Sequence, residues 1–253
     1  MKPLMSETRT ALIGALIVAL GSVSMALYTP AMPTLVQVLQ TTPAAVKLSL
    51  TVYLFGFAFA QLVCGPLSDA FGRRPVALGF FCIYVVGSVI AVFSPTISWL
   101  LVGRALQGIG VAAGVAISRA IVRDQFTGQR SARIMNLIGL ILAVGPAVSP
   151  TIGGVLLTTF GWHSIFVVMV VYGIVAVLVM GFWCVETNAA PDPAQAYPGQ
   201  VARNYAMLLR DRGFMGASLV LGFAIGAFFT LAAMLPFVLM EKGSSSRSGP
   251  EPS

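Results

Sequence analysis

Charged residues are scarce in this chain of 253 residues: they make up 9% of it, against 57% hydrophobic residues. Soluble domains carry roughly 25% charged residues, so the composition excludes an ordinary soluble domain. The sequence also has only one histidine and three cysteines, without the spacing of a metal site. It offers no nucleophile–base pair and no phosphate-binding loop either. We therefore expect no enzyme, no metal site and no cofactor.

Long apolar stretches are what the sequence has instead. A helix needs about 20 apolar residues to cross a bilayer. The stretches that meet this requirement lie roughly at residues 11–29, 47–67, 75–95, 97–118, 134–158, 163–185 and 214–240. The first could be a signal peptide cleaved after "SMA" at 24–26, but its apolar run continues to Tyr28, which favours a retained span. The sequence thus predicts an all-α polytopic membrane protein in a lipid bilayer.

The net charge of +7 is unevenly distributed over the connections between these stretches. Most basic residues lie before the first span and in every second loop after it: Lys2, Arg9, Arg73, Arg74, Arg119, Arg123, Arg130, Arg133, Arg203, Arg210 and Arg212. By the positive-inside rule, this distribution predicts a cytoplasmic N-terminus. The charge is typical of a topology signal, and we expect no nucleic-acid partner.

Composition along the chain predicts four segments. Residues 1–185 contain six spans, and residues 186–213, rich in alanine, proline and glutamine, are typical of a cytoplasmic linker. A seventh span is predicted over residues 214–240. The serine-, proline- and glycine-rich residues 241–253 have little to bury, and we expect them to be disordered.

The stretch "GPLSDAFGRRP" lies between the second and third predicted spans. Its glycines, Gly65 and Gly72, permit tight turns, and Asp69 adds an acid beside the basic pair Arg73 and Arg74. An ordinary basic loop would explain the arginines but neither the acid nor the glycine spacing. The stretch resembles the loop signature of the major facilitator superfamily. The resemblance implies that these five residues belong to a gate at the inner face of a transporter.

The stretch "WLLVGRALQGIGVAAG" places Arg104 inside a predicted span. Burying a guanidinium in a bilayer costs about 2.5–3.5 kcal/mol even on insertion scales. One interpretation is that Arg104 extends its side chain to the outer interface, since it lies only about ten ångströms into the span. The alternative follows from a resemblance to the superfamily's fourth-helix signature, carried by Arg104, Gln107, Gly108 and Gly110. That resemblance implies a role for Arg104 in proton coupling.

The stretch "GPAVSPTIGG" lies in the fifth predicted span and combines small residues with prolines. Small residues every four positions predict a face for close helix packing, and the prolines predict kinks. A kinked packing helix would explain the pattern. The stretch also resembles the superfamily's antiporter signature, which is typical of exporters. The residues concerned are Gly145, Pro146, Ser149, Pro150, Gly153 and Gly154.

Four further stretches narrow the resemblance: "YTPAMP", "LTVYLFGFAFAQLVCGPLSD", "SRAIVRDQF" and "GWHSIFV". Together they resemble the bicyclomycin-resistance and chloramphenicol-efflux branch of the superfamily. The resemblance implies proton-coupled efflux of small amphipathic, drug-like molecules across the bacterial inner membrane. Tyr28, Tyr53 and Gln61 are then candidate hydrogen-bonding residues of the substrate cavity, although such residues are as often structural.

The sequence departs from that branch in two ways. Ala26 stands where the branch commonly carries an aspartate, and no Asp or Glu lies in the interior of any predicted span. The helices that would follow the seventh are also missing, so the resemblance covers the N-terminal six-helix half and one further helix. The alternative is therefore a shortened, transport-inactive chain with at most a structural or interaction role. Self-association of two copies is a third possibility.

Overall fold

The computed structural model of the chain describes residues 3–224 and residue 227, and the chain divides into two units, Met1–Tyr197 and Pro198–Ser253. Every regular element described is helical. The helices are α1 (Glu7–Tyr28), α2 (Met32–Val38), α3 (Pro43–Phe71), α4 (Arg73–Val92), α5 (Ile97–Gln125), α6 (Gly128–Phe160), α7 (Trp162–Leu178), α8 (Pro198–Arg210) and α9 (Arg212–Ala224). A 3-10 turn, Thr29–Ala31, joins α1 to α2, and a π-helical turn, Val179–Trp183, extends α7.

Six helical segments in the described residues are long and apolar enough to cross a membrane: Glu7–Val38, Pro43–Phe71, Arg73–Val92, Ile97–Gln125, Gly128–Phe160 and Trp162–Trp183. The prediction of an all-α polytopic membrane protein is therefore confirmed. The predicted seventh span falls only partly on described residues, where the shorter apolar helix α9 lies. Most of residues 225–240 and all of the predicted tail, 241–253, lie outside the described residues.

The connections between the helices are short and follow local rules. Ser6 and Thr42 cap α1 and α3, because their hydroxyls accept hydrogen bonds from the backbone N–H groups of Arg9 (3.3 Å) and Ala45 (3.2 Å). A single glycine, Gly72, separates α3 from α4; its φ of 101° is a conformation that favours glycine. The predicted linker contains helix α8, which the sequence analysis did not predict.

Helix α5 is central to the first unit and packs along α3, α4 and α1. Glycines make these contacts close. A Cβ atom at Gly108 would lie 2.0 Å from the carbonyl oxygen of Tyr53 in α3, and one at Gly114 would lie 2.1 Å from that of Ile17 in α1. No side chain fits at such distances, so glycine at these two positions permits backbone-to-backbone packing. This packing brings α1 and α3 against the α5 face that carries Arg104.

One end of the first unit carries the start of α1, the α3–α4 turn and the end of α5. We call it the basic end, because Arg9, Arg73, Arg74 and Arg123 lie there. Met5 N–H donates to Gln125 Oε1 (2.9 Å), and Arg9 Nε donates to the carbonyl oxygen of Trp183 (2.8 Å). These contacts tie the N-terminal segment to the ends of α5 and of the π-helical turn.

Candidate functional site

Arg104 lies on α5 with its side chain fully buried, at 0% exposure. Its guanidinium carbon is 4.6 Å from the ring centroid of Tyr28 on α1 and 4.2 Å from that of Tyr53 on α3. Both distances are within the range of cation–π attraction. An arginine extended to the interface would keep its guanidinium in contact with water, so the structure does not support that interpretation. The charge points into the helix bundle.

A hydrogen-bonded chain holds one end of this guanidinium. Nη1 of Arg104 donates to Oε1 of Gln107 (2.8 Å), and Nε2 of Gln107 donates to Oγ of Ser88 on α4 (2.8 Å). The same Nε2 lies 3.5 Å from Sδ of Met169 on α7. Gln107 thus links the arginine to two further helices, and its carbonyl oxygen is the acceptor that faces the charge.

The two tyrosine rings are held in place by their hydroxyls. The hydroxyl of Tyr53 donates to the carbonyl oxygen of Gly21 (2.8 Å), and that of Tyr28 shares a hydrogen bond with Oγ of Ser49 (2.8 Å). Both partners lie on a helix other than that of the tyrosine, so each ring has a defined position over the guanidinium. We refer to Tyr28, Tyr53, Arg104 and Gln107 as the arginine cage.

A second polar cluster lies at the basic end. Nε of Arg73 donates to Oδ2 of Asp124 (3.0 Å), and its Nη1 donates to Oδ1 of Asp69 and to Oγ of Ser68 (2.7 Å). The cluster therefore joins α3, α4 and the end of α5. The Arg73 side chain is largely buried and Asp69 is half exposed. The pair with the half-exposed Asp69 contributes at most about 1 kcal/mol, whereas Arg73 and Asp124 are both largely buried, so breaking their pair costs more.

Glu186 holds the start of α4 from a distant part of the chain. Its Oε1 and Oε2 accept hydrogen bonds from the backbone N–H groups of Arg73 and Arg74, both at 2.9 Å. A carboxylate at a helix N-terminus satisfies free N–H groups and interacts favourably with the helix dipole. A Cβ atom at Gly72 would lie 2.7 Å from Oε2, so this carboxylate position also requires glycine at the turn.

The structure brings together four of the five residues that the sequence analysis assigned to coupling and the substrate cavity, and separates the fifth. Gln61 lies toward the basic end, where its Nε2 donates to the carbonyl oxygen of Ala112 (3.4 Å). It lines a cavity of about 430 Å³ together with Gly65, Asp69, Arg73 and other residues of α3 and α5. Gln61 therefore shares a cavity with the gate-loop residues, away from the arginine cage.

Sequence reasoning missed the two carboxylates Asp124 and Glu186. Each follows an apolar stretch, and neither belongs to the motif that contains Asp69 and Arg73. A signal was nevertheless present, because the whole chain has only 8 acidic residues. In so acid-poor a sequence, a carboxylate beside a span end is a candidate partner for a loop arginine.

The small-residue face of α6 packs against α1. A Cβ atom at Gly153 would lie 2.4 Å from the carbonyl oxygen of Leu27, and one at Gly145 would lie 3.4 Å from Oγ of Ser22. Ser149 is buried between them and donates to the carbonyl oxygen of Gly145 (2.6 Å). Gly154 points elsewhere, because a Cβ atom there would have no described atom within 4 Å. Helix α6 continues through Pro146 and Pro150.

The chain is similar in sequence to known membrane transporters. The sequence profile of the Major Facilitator Superfamily matches residues 14–250. The uncharacterized MFS-type transporter YdgK of Bacillus subtilis is 37% identical over 91% of this chain and 58% of its own length. The multidrug resistance protein MdtL of Klebsiella pneumoniae is 30% identical over 93% of this chain and 59% of its own. The bicyclomycin resistance protein homolog of Haemophilus influenzae is 29% identical over 80% of this chain and 51% of its own.

These relatives confirm the predicted resemblance to the bicyclomycin-resistance branch, and none of the three names describes an enzyme. The chain spans about half the length of the curated relatives it matches. Among solved structures, the human organic anion transporter MFSD10 (TETRAN) matches with a TM-score of 0.61 at 20% identity, over 76% of this chain and 51% of that chain. This likeness concerns the fold.

Proposed function

Because this chain belongs to the Major Facilitator Superfamily, we propose that it takes part in the efflux of small amphipathic, drug-like molecules in exchange for protons across the bacterial inner membrane. The names of two relatives, a multidrug resistance protein and a bicyclomycin resistance homolog, support the substrate class. Drug substrates, protons and the lipid bilayer are the partners that this function requires.

The observation that carries the proposal is the arginine cage. A fully buried guanidinium inside an apolar bundle is unfavourable, and replacing such a group by an apolar side chain of similar volume is often neutral or stabilising. Ionisable groups within spans are typically found on ion or substrate pathways. We assign proton coupling to Arg104 and Gln107, with Tyr28 and Tyr53 as the aromatic walls that position the charge. Gln61 is assigned to the cavity at the basic end.

The gate-loop residues supply the second part of the proposal. Gly65, Asp69, Gly72, Arg73 and Arg74 act as a latch that closes the basic end in one transport state. Support comes from the position of the Arg73 ion pairs, which join three helices at the basic end.

Helix α6 is the third part. We propose that it flexes during transport while it stays packed against α1 through the face formed by Gly145, Ser149 and Gly153. The prolines support this role, since each removes a backbone hydrogen-bond donor from the helix interior. Residues 1–185 would then form the N-terminal transporter half, 186–213 a cytoplasmic linker, and 214–240 a seventh span.

The proposed orientation can be tested with two matched threonines. Thr96 and Thr127 are exposed residues that each precede a helix, and neither side chain caps that helix. With a cytoplasmic N-terminus, we expect Thr127→Cys to react with an impermeant maleimide only in inverted vesicles, and Thr96→Cys only in intact cells. Burial, and then the nearby Glu186 charge, raises the pKa of the Cys184 thiol to about 11, so this thiol adds little background; the exposed Cys82 is replaced by serine in both variants. The reverse labelling pattern would contradict the orientation.

Transport itself is tested by reconstituting the purified chain in vesicles with an acidic interior. We expect uptake of hydrophobic dyes that stops when a protonophore collapses the proton gradient, and no uptake in vesicles without protein. An uptake rate that is the same with and without the proton gradient would contradict proton coupling. Because the chain spans about half the length of its relatives, such uptake would require two copies to form one pathway. The active material should then be dimeric by light scattering.

The second candidate function is an inserted chain that does not transport and has at most a structural or interaction role. Superfamily transporters place their substrate site between two repeated halves, and these 253 residues align with about half of each relative, so they supply by themselves one side of such a site. A monodisperse, helical chain that gives no uptake for any dye would support this candidate over the first.

A further inference from the structure

Arg104 has a free edge as well as a bonded one. Nε and Nη2, both fully buried, have no hydrogen-bond acceptor within the described part of the chain. The N–H groups of these two nitrogens project in parallel from one edge of the planar guanidinium. This edge is one that arginine uses to bind carboxylates with two hydrogen bonds at once.

No described carboxylate neutralises this charge. The ion pairs found in residues 3–224 are Arg73 with Asp69, Arg73 with Asp124 and Arg130 with Glu7. All three acids lie in the first or last turn of their helices at the basic end, whereas Arg104 lies in the half of α5 that begins at Ile97. A buried cation without a counter-charge is strongly unfavourable. A negatively charged group beside the guanidinium would therefore stabilise the folded chain.

The tyrosines satisfy the faces of the guanidinium but not its edge. Oγ of Ser49 donates its own hydrogen to the carbonyl oxygen of Val46 (2.6 Å), so Tyr28 must be the donor in its bond to Ser49. The hydroxyl of Tyr53 donates to Gly21. Each tyrosine thus directs its proton to another acceptor and presents its ring to the cation. What the edge still lacks is a compact acceptor that carries negative charge.

We infer that the Nε–Nη2 edge of Arg104 binds a monovalent anion of the size of a halide or a small carboxylate, which acts as the counter-ion of the guanidinium. The ligand has two possible sources: an inorganic halide from solution, or the carboxylate of an organic solute. Two hydrogen bonds from one edge suit either. Because Nε and Nη2 are fully buried, entry of the anion requires the surrounding side chains to move. The inference concerns binding and does not depend on transport.

The test measures the thermal unfolding midpoint of the purified full chain in detergent by its tryptophan fluorescence. Chloride, bromide, formate or acetate replaces gluconate, a carboxylate whose six-carbon chain is too large for the buried edge, stepwise at constant ionic strength and pH. An anion that binds the folded chain raises the midpoint with a saturable dependence on its concentration. A rise with halides alone identifies the inorganic source, and a rise with formate and acetate as well identifies carboxylate-bearing solutes.

Gln107→Glu is the decisive variant. Its carboxylate would replace the amide oxygen that accepts from Nη1 at 2.8 Å, and so neutralise Arg104 with almost unchanged shape. We expect the apparent affinity for the anion to fall at least about tenfold. Arg130→Gln, which removes an exposed arginine paired with Glu7, is the matched control and should keep the full anion-dependent shift.

Arg104→Lys is a second variant, which tests the proposal even if the Gln107→Glu chain does not fold. It keeps the charge but loses the planar edge, so the shift should shrink in this variant too. Helical content and a single elution peak show which variants are folded. The inference is overturned if no anion shifts the midpoint of the unaltered chain relative to gluconate. It is also overturned if the shift is undiminished in either folded variant.

Discussion

Arg104→Ala should reduce gradient-driven dye uptake to the level of vesicles without protein, while the chain still inserts and remains helical. The reason is that the arginine cage holds the only charge buried among α1, α3, α4, α5 and α7 in the described residues. A transporter that couples to protons needs a charge whose environment changes during the cycle. The measurement is the initial rate of uptake at equal amounts of reconstituted protein.

A variant of similar volume separates function from folding. Arg104→Met removes the charge but fills most of the same space, and exchanging buried charged groups for apolar ones is often neutral or stabilising by about 1–4 kcal/mol. We therefore expect Arg104→Met to be as stable as the unaltered chain, or more so, and equally inactive in uptake. Arg130→Ala, at the exposed Arg130–Glu7 pair, should keep normal uptake. Normal uptake by Arg104→Ala would refute the coupling role.

The spans could be predicted from the sequence because hydropathy is a local property. The predicted stretch 97–118, for example, lies within Ile97–Gln125, and 134–158 lies within Gly128–Phe160. The ends were less accurate, since helices in the structure continue past their apolar part into polar residues such as Arg123 and Gln129. Helix α8 was missed because the prolines and alanines around it are typical of a linker. Its apolar residues at 201, 205 and 208 do follow a helical period.

The arginine cage was only partly accessible from the sequence. Tyr28 and Tyr53 are candidates by their residue type, but the sequence contains no measure of their distance from Arg104, since they lie on other helices. Gln61 was predicted to line the same cavity as Tyr28 and Tyr53, but it lies toward the basic end. Its residue type suggested a cavity position without indicating which cavity. The contact of Glu186 with the start of α4 joins residues more than one hundred positions apart. Such pairings depend on tertiary packing, which no local pattern encodes.

Gly108→Ala should destabilise the chain strongly, although alanine is the better helix former. The added Cβ would lie 2.0 Å from the carbonyl oxygen and 3.0 Å from the Cα of Tyr53, so the clash is with backbone and no rotamer can relieve it. Helix α3 must move away from α5, and overpacking of this kind costs about 1–3 kcal/mol or more. A gain of up to about 1 kcal/mol in helix propensity does not offset that loss. The measurement is the thermal unfolding midpoint in detergent.

Gly139→Ala is the matched control, because Gly139 lies within α6 and no described atom is within 4 Å of a Cβ at that position. It should be neutral or slightly stabilising, since only the propensity gain applies. The movement of α3 in Gly108→Ala also carries Tyr53 away from Arg104, which weakens their cation–π contact. Equal midpoints for the two alanine variants would show that α3 and α5 do not pack backbone to backbone at Gly108. The position of Tyr53 in the arginine cage would then have to be explained by other contacts.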